Sequence, residues 1–315
     1  MPRPTNALKR NAPLDFLTNL VLRAIIGLAL ALPYRLRVPM TGWIVARVVA
    51  PLAGYGRRIR ENLAHVCPEL PEAEVQRLIR AVPDNAGRTL IEIYSGAGFT
   101  RRFADAPLTG PGVAALEAAH AESRPVILVT GHIGNYDAPR AALIAKGFRV
   151  GALYRPMNNP YFNAHYEAAI SKIGTPVFPR GRRGLGALVR YLRDGNMIGM
   201  LVDQYILDGA DMTFFGQTAP TALSAAEMAL KYDALLVPVY GIRQENGIDF
   251  EVVCEAPVPH SDPVTMTQAL NDSLEALVRK HMGQWFWIHR RWKPEREAFR
   301  QSRRAAANIG PDVPS

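Results

Sequence analysis

The first candidate for chemistry is a histidine and a carboxylate five positions apart, in Gly131-His132-Ile133-Gly134-Asn135-Tyr136-Asp137. On one continuous helix, His132 and Asp137 would point about 140° apart. In a strand-to-helix turn, Gly131 and Gly134 give the chain the freedom to bring them together. A carboxylate on one imidazole nitrogen fixes the tautomer and stabilises the charged ring, and the other nitrogen is then able to take a proton from a hydroxyl. No Gly-x-Ser-x-Gly occurs, so the expected nucleophile is a hydroxyl from outside the protein. A purely local use is the alternative: His132 as a turn residue, Asp137 as an acid at a helix N-terminus.

Three further segments place polar groups after apolar runs. They are Tyr154-Arg155-Pro156 with Asn159-Pro160, Arg180-Gly-Arg-Arg-Gly-Leu-Gly186, and Val202-Asp203-Gln204. Arginines gathered at one edge suit phosphate, which they grip by forked, charge-assisted hydrogen bonds; a solvated loop is the other reading of Arg180, Arg182 and Arg183. The Arg180 segment is not a Walker loop, because the Gly-Lys-Ser/Thr ending is missing. Thr109-Gly-Pro-Gly-Val-Ala-Ala115 resembles a dinucleotide fingerprint only in its glycines, and reads as a loop leading into a helix.

The elements that must hold these groups follow an α/β pattern. Pro125–Thr130 (PVILVT) is a short, wholly apolar run, as a buried parallel strand requires. Further strands are expected near 150–153, 176–178, 197–202, 235–240 and 250–254. Helices are expected at 138–146, 161–173, 185–193, 221–231 and 266–282, and earlier at 71–98, bent at Pro83, and 113–121. Alternation of this kind predicts a mostly parallel central sheet flanked by helices. The carboxyl ends of its strands are where ligands collect, and His132 follows such an end directly.

Of 315 residues, 48% are hydrophobic and 21% charged, which excludes a disordered or collagen-like chain. Cys67 and Cys254 lie far apart, with no Cys/His cluster, which excludes a disulfide framework or a zinc site of ordinary spacing. The net charge is +9, and residues 1–60, with ten Lys/Arg and the single acid Asp15, carry the whole excess. The remainder is neutral, which weighs against a nucleic-acid binder. The basic excess accompanies two apolar stretches, Phe16–Pro33 and Val38–Gly54, the first near spanning length. Together they predict an N-terminal anchor that dips into or spans a membrane, its arginines facing anionic headgroups; a buried core helix is the alternative. The expected organisation is an anchor at 1–60, a catalytic domain at 61–300 and a frayed tail at 301–315. Trp285-Phe-Trp-Ile-His-Arg-Arg-Trp-Lys293 suits either a membrane interface or aromatic packing, and His289 within it is expected to be structural.

With these residues in hand, the chain resembles the lauroyl/myristoyl acyltransferases of lipid A biosynthesis, within the lysophospholipid acyltransferase-like superfamily. The resemblance covers roughly residues 15–294, through ENLAHVCPEL, HIGNYD, YRPMNNPYF, RGRRGLGALVRYLRDG, GMLVDQ, MTFFGQTAPT and WFWIHRRWK. It implies a glycerolipid-acyltransferase-like fold with membrane-associated N-terminal helices, at the cytoplasmic face of a bacterial inner membrane. It implies transfer of a fatty acyl group from acyl carrier protein, or acyl-CoA, to a hydroxyl of a lipid acceptor. The first-choice acceptor is a lipid A precursor; a phospholipid or aminolipid made from a lyso-lipid is the alternative. The family's His-x4-Asp/Glu motif falls on His132 and Asp137, so His132 is expected to act as general base and Asp137 to orient it. Asn135, Arg155, Arg180, Asp203 and Gln204 are the expected substrate-binding set. Within it Asn135 is a candidate oxyanion donor, Arg155 and Arg180 hold phosphate or headgroup oxygens, and Asp203 steadies the basic cluster. The resemblance implies no metal and no cofactor beyond the acyl donor.

Overall fold

A computed structural model describes residues 12–104, 106–297 and 299–302. Arg3, Lys9 and Arg10, and the tail from 303 onward, lie outside the described residues. The helices in chain order are α1 (Ala12–Leu30), α2 (Tyr34–Ile44), α3 (Ala50–Leu52), α4 (Tyr55–Val66), α5 (Glu72–Tyr94), α6 (Ala97–Thr100), α7 (Val113–Ala121), α8 (Ala138–Ala145), α9 (Pro160–Ile173), α10 (Arg182–Arg193), α11 (Ser224–Lys231) and α12 (Pro263–Lys280). The strands are β1 (Leu108–Thr109), β2 (Val126–Thr130), β3 (Val150–Tyr154), β4 (Val177–Pro179), β5 (Met197–Leu201), β6 (Ala210–Phe214), β7 (Gln217–Thr221), β8 (Leu235–Arg243) and β9 (Phe250–Cys254).

Seven strands form one sheet in the order β1-β9-β8-β2-β5-β3-β4. From β8 through β4 every pairing is parallel; β9 runs antiparallel to β8 and carries β1 parallel to itself. The alternation of strand side chains explains the layers. Val126 and Leu128 of β2 join a core with Leu116 of α7, Leu143 of α8 and Ile170 of α9. Ile127 and Val129 join the opposite core, with Leu188 of α10, Ala225 of α11 and Leu270 of α12. With both faces covered, β2 is buried at all five positions.

A third core lies beside the sheet. Ile59 and Leu63 of α4 and Leu78 and Val82 of α5 pack there with Phe214 of β6 and Trp285, Trp287 and Trp292. The aromatic run near the C-terminus is therefore interior packing, and of its two readings the membrane-interface one does not hold for these tryptophans. Residue 60 lies inside α4, so the chain between 55 and 66 belongs to this core. The helix α5 runs on past Pro83.

Leucine-rich α1 is 19 residues long, and among the described residues it is the one single helix long and apolar enough to cross a membrane. Its apolar side chains are turned outward: Leu17 is 61% and Leu28 74% exposed, whereas the polar Asn19 is buried. It is therefore not a core helix. From α2 the chain passes into a π-helical segment, Val45–Val49, and after α3 it turns through 85° into α4. Gly54 makes the turn with φ of 67°, a conformation costly for any residue with a Cβ.

Candidate active site

The last residues paired between β2 and β5 are Thr130 and Leu201. Two positions beyond each, still side by side, stand His132 and Asp203. The His132 Nδ1 lies 2.7 Å from Asp203 Oδ1. The His132 backbone N–H donates to Asp203 Oδ2 at 2.7 Å, and Trp285 Nε1 donates to the same oxygen at 3.0 Å. The carboxylate is thus held from three directions, and the imidazole is oriented by it. Asp203 is 1% exposed in its side chain, His132 19%. Burial alone would raise the Asp203 carboxyl; the His132 charge and its two hydrogen bonds outweigh that and hold it below the ordinary carboxylate range.

With Nδ1 turned to Asp203, Nε2 has no hydrogen-bond partner among the described residues. The ring sits among Tyr136, Phe286 and His289, at centroid distances of 5.3, 6.2 and 4.9 Å. His289 is lowered to about 4, first by burial and then by the nearby His132 charge, so it is neutral at neutral pH. Its Nε2 lies 3.4 Å from the Gln204 side-chain nitrogen. Around His132 stand a phenol, a phenyl ring and an imidazole whose basicity burial has weakened, and of the two imidazoles His132 is the one backed directly by a carboxylate.

Among the described residues no hydrogen bond joins Asp137 to His132; the contact expected of Asp137 on the ring is made by Asp203 instead. Asp137 stands at the N-cap of α8 and accepts from Arg140 Nε at 2.9 Å. Arg140 in turn donates to the Ile170 and Gly174 carbonyls, so the pair ties α8 to α9. The cause is the turn itself: Gly134, with φ of 54°, swings the chain away before Asp137 arrives. A Cβ on Gly134 would stand 1.9 Å from the Gly241 carbonyl oxygen, so only glycine lets the turn lie this close to β8.

Asn135 is likewise not at a substrate surface. It is fully buried; its amide donates to Glu92 at 2.9 Å, and its oxygen accepts from the Asp137 N–H. Glu92 is gripped by Arg243 of β8, Nη1 to Oε1 at 2.5 Å and Nη2 to Oε2 at 2.8 Å. Asn85 and Thr89, also on α5, donate to the Gly134 carbonyl. One helix therefore clamps the whole His132 turn from behind.

Arg155 and Arg180 do come together, because Tyr154 and Pro179 are paired across β3 and β4. Both are exposed at the sheet's carboxyl edge, and Arg155 donates to Asn158 Oδ1 at 3.5 Å. Arg291, next to the aromatic cluster, is fully buried: it donates to Thr221 Oγ1 at 2.6 Å and the Pro220 carbonyl at 2.8 Å. Burial lowers its guanidinium to about 10, against the pull of Asp203. Trp285 and the proximity of His289 to His132 were not foreseen as parts of this site. Among the described residues no cluster of three or more His, Cys, Asp or Glu is arranged to hold a metal ion.

The family model for bacterial lipid A biosynthesis acyltransferases matches residues 4–294. The chain belongs to that family. It is similar to a lipid A biosynthesis acyltransferase of Haemophilus influenzae, 23% identical over 81% of each chain. It is similar also to a phosphatidylinositol mannoside acyltransferase of Mycobacterium tuberculosis, 22% identical over 80% of this chain and 81% of the relative. A lipid A biosynthesis acyltransferase 2 of Shigella flexneri is 23% identical over 88% of this chain and 90% of its own. Membership makes this an acyltransferase, and the mostly parallel α/β sheet agrees with the fold expected from the sequence.

Proposed function

We propose that the protein moves a fatty acyl group from a thioester, on acyl carrier protein or coenzyme A, to a hydroxyl of a lipid acceptor, with His132 as general base and Asp203 orienting it. The observation that carries this reading is the pair itself. Asp203 fixes Nδ1 as the protonated nitrogen, and Nε2 is left free. In this reaction Nε2 takes the acceptor's proton as its oxygen attacks the acyl carbonyl. The tetrahedral intermediate collapses, the carbon–sulfur bond breaks, and the departing thiolate takes the proton back from His132. Asp203 stabilises the imidazolium between the two steps. No acyl-enzyme forms, and no metal or cofactor enters the scheme.

Arg155 and Arg180, at the same sheet edge as His132, bind phosphate or headgroup oxygens of the acceptor. A lipid A precursor is the first-choice acceptor, with acyl carrier protein as the donor and partner; the outward apolar face of α1 supports attachment to a membrane, with the cytoplasmic face of the inner membrane as the first-choice location. The likeness to a phosphatidylinositol mannoside acyltransferase supports a second reading, in which the acceptor is a lyso-lipid or another phospholipid. Purified protein is to be incubated with acyl carrier protein loaded with labelled acyl groups and each acceptor in turn, and cellular lipids compared with and without the gene. Labelled lipid A product, absent with His132→Ala, is the expected result. Transfer to neither acceptor class, or full transfer by folded His132→Ala, overturns the proposal.

A further inference from the structure

A cavity of about 660 Å³, whose lining includes neither His132 nor Asp203, lies between the π-helical segment 45–49, α5 and the chain around 280–284; Asn85 and Gln284 in its wall also hold the Gly134 turn from behind. Its wall is cationic: Arg47, Arg80 and Lys280 line it, and none of the three has an acidic partner among the described residues. Arg77 also lines it, engaged by Glu74 at 2.6 Å. The acidic lining residue, Asp84, is already paired with Arg88 at 2.5 Å. Three uncommitted positive charges around one concave space favour an anion, and the volume suits a whole headgroup rather than a single ion.

Where that space opens narrows the choice of anion. Trp43 lines it and is 57% exposed. On the same stretch of chain Ile44, Val48, Val49 and Leu52 are exposed as well, Leu52 at 86%. Exposed aliphatic side chains flanked by tryptophan and arginine are the pattern of a segment lying in the bilayer interface. The π-helical turn sets Arg47 among them, and such turns are concentrated at functional sites. We infer that this cavity seats the phosphate of an anionic membrane lipid, holding the protein against the bilayer through residues other than those of the acyl-transfer centre. The inference does not depend on the acyl-transfer reading.

Trp43 supplies the readout, because the other three tryptophans are buried. The full chain is mixed with vesicles of phosphatidylcholine and phosphatidylglycerol at one fixed ratio, with bromine placed on either lipid in turn. Vesicle charge is then constant, and quenching reports which lipid lies beside Trp43. Wild type is expected to be quenched more by brominated phosphatidylglycerol. Arg80→Ala/Lys280→Ala should lose that excess, each removed charge lowering local enrichment about fivefold. Both residues are exposed, so folding is not at stake. Arg190→Ala/Arg193→Ala, on exposed positions of α10, should keep it. Equal quenching in wild type, or equal loss in both double variants, overturns the inference. So does a Trp43 response to inorganic phosphate alone that vesicles do not increase, which would assign the cavity to a soluble phosphate. Unchanged lipid preference in Arg80→Ala/Lys280→Ala with lost affinity for acyl carrier protein would assign it to that protein and overturn the inference too.

Discussion

His132 and Asp203, 71 positions apart in the chain, are neighbours because Thr130 and Leu201 form the last rung of the β2–β5 ladder. Each side chain stands two residues past its strand, where the sheet no longer dictates direction and the hydrogen bonds among His132, Asp203 and Trp285 take over.

The first prediction separates Asp203 from Asp137. Asp203→Asn keeps an oxygen for Trp285 Nε1 but loses the charge that fixes the His132 tautomer. Turnover of the folded enzyme should fall by about 10²–10⁴-fold, with some loss of stability because the Asp203 charge is itself stabilising. Asp137→Asn should lower stability through Arg140 while the folded enzyme keeps most of its turnover. Measuring kcat and thermal unfolding on both variants checks this, and a larger kcat loss in Asp137→Asn would return the orienting role to Asp137.

Acid should weaken the fold through His289. Its folded value is about 4, against about 6.5 in an unfolded chain. Between these values the unfolded state binds a proton that the folded state does not, so stability falls as pH drops from 6.5 to 4. The loss has an upper bound of about 3 kcal/mol. Asp203 acts elsewhere: its folded value is depressed, so its contribution is present above the unfolded value of about 3.9 and is lost only below it. Urea unfolding at several pH values should therefore show a slope in the 4–6.5 window that is flatter in His289→Gln.

Removing one partner of the buried Glu92–Arg243 pair strands the other. Glu92→Gln should cost about 3–5 kcal/mol, since Arg243 is left in the interior without a counter-charge and one amide oxygen cannot serve both Arg243 and Asn135 as the two carboxylate oxygens do. Because that network clamps the His132 turn, activity should fall together with stability, as denaturant titration and turnover measured on the same preparation would show. Unchanged stability would mean that the pair is dispensable.

Deleting residues 1–30 removes the outward apolar face of α1. The shortened protein should pellet with membranes less than the full chain, by sedimentation at matched ionic strength. Equal pelleting would place the attachment entirely on the α2–α3 region.

The strands β2, β3, β4, β5, β8 and β9 of the main sheet were legible because each is a short, mainly apolar run bounded by turn residues, and the helices between them because their apolar positions recur at helical spacing; β1, only Leu108–Thr109, was not, and Thr109 was read as part of a loop. His132 was legible too, from its place directly after PVILVT. Its partner was not. Asp203 stood out as a polar group at a strand end, but which strands are neighbours is a property of the sheet order, and no local pattern states that β2 lies against β5. Hence the nearer acid, Asp137, was expected in its place. The β6–β7 hairpin was missed for a different reason. Its turn is made by Phe215 and Gly216, both with positive φ, and a phenylalanine there gives no usual turn signal. Asn135 looked like a donor to substrate because the Glu92 carboxylate that accepts from its amide becomes visible only when α5 is laid across the turn.

The stretch from Met282 to Trp292 follows the last strand of the sheet, which ends at Cys254, yet it supplies the indole that steadies Asp203 and two of the rings around His132. A ribosome that stopped at Lys280 would release a product with its sheet strands all present and Asp203 without that indole. Under the proposed reaction, translation interrupted there yields an inert fragment, and any cut or insertion made for expression must leave this stretch free to fold back.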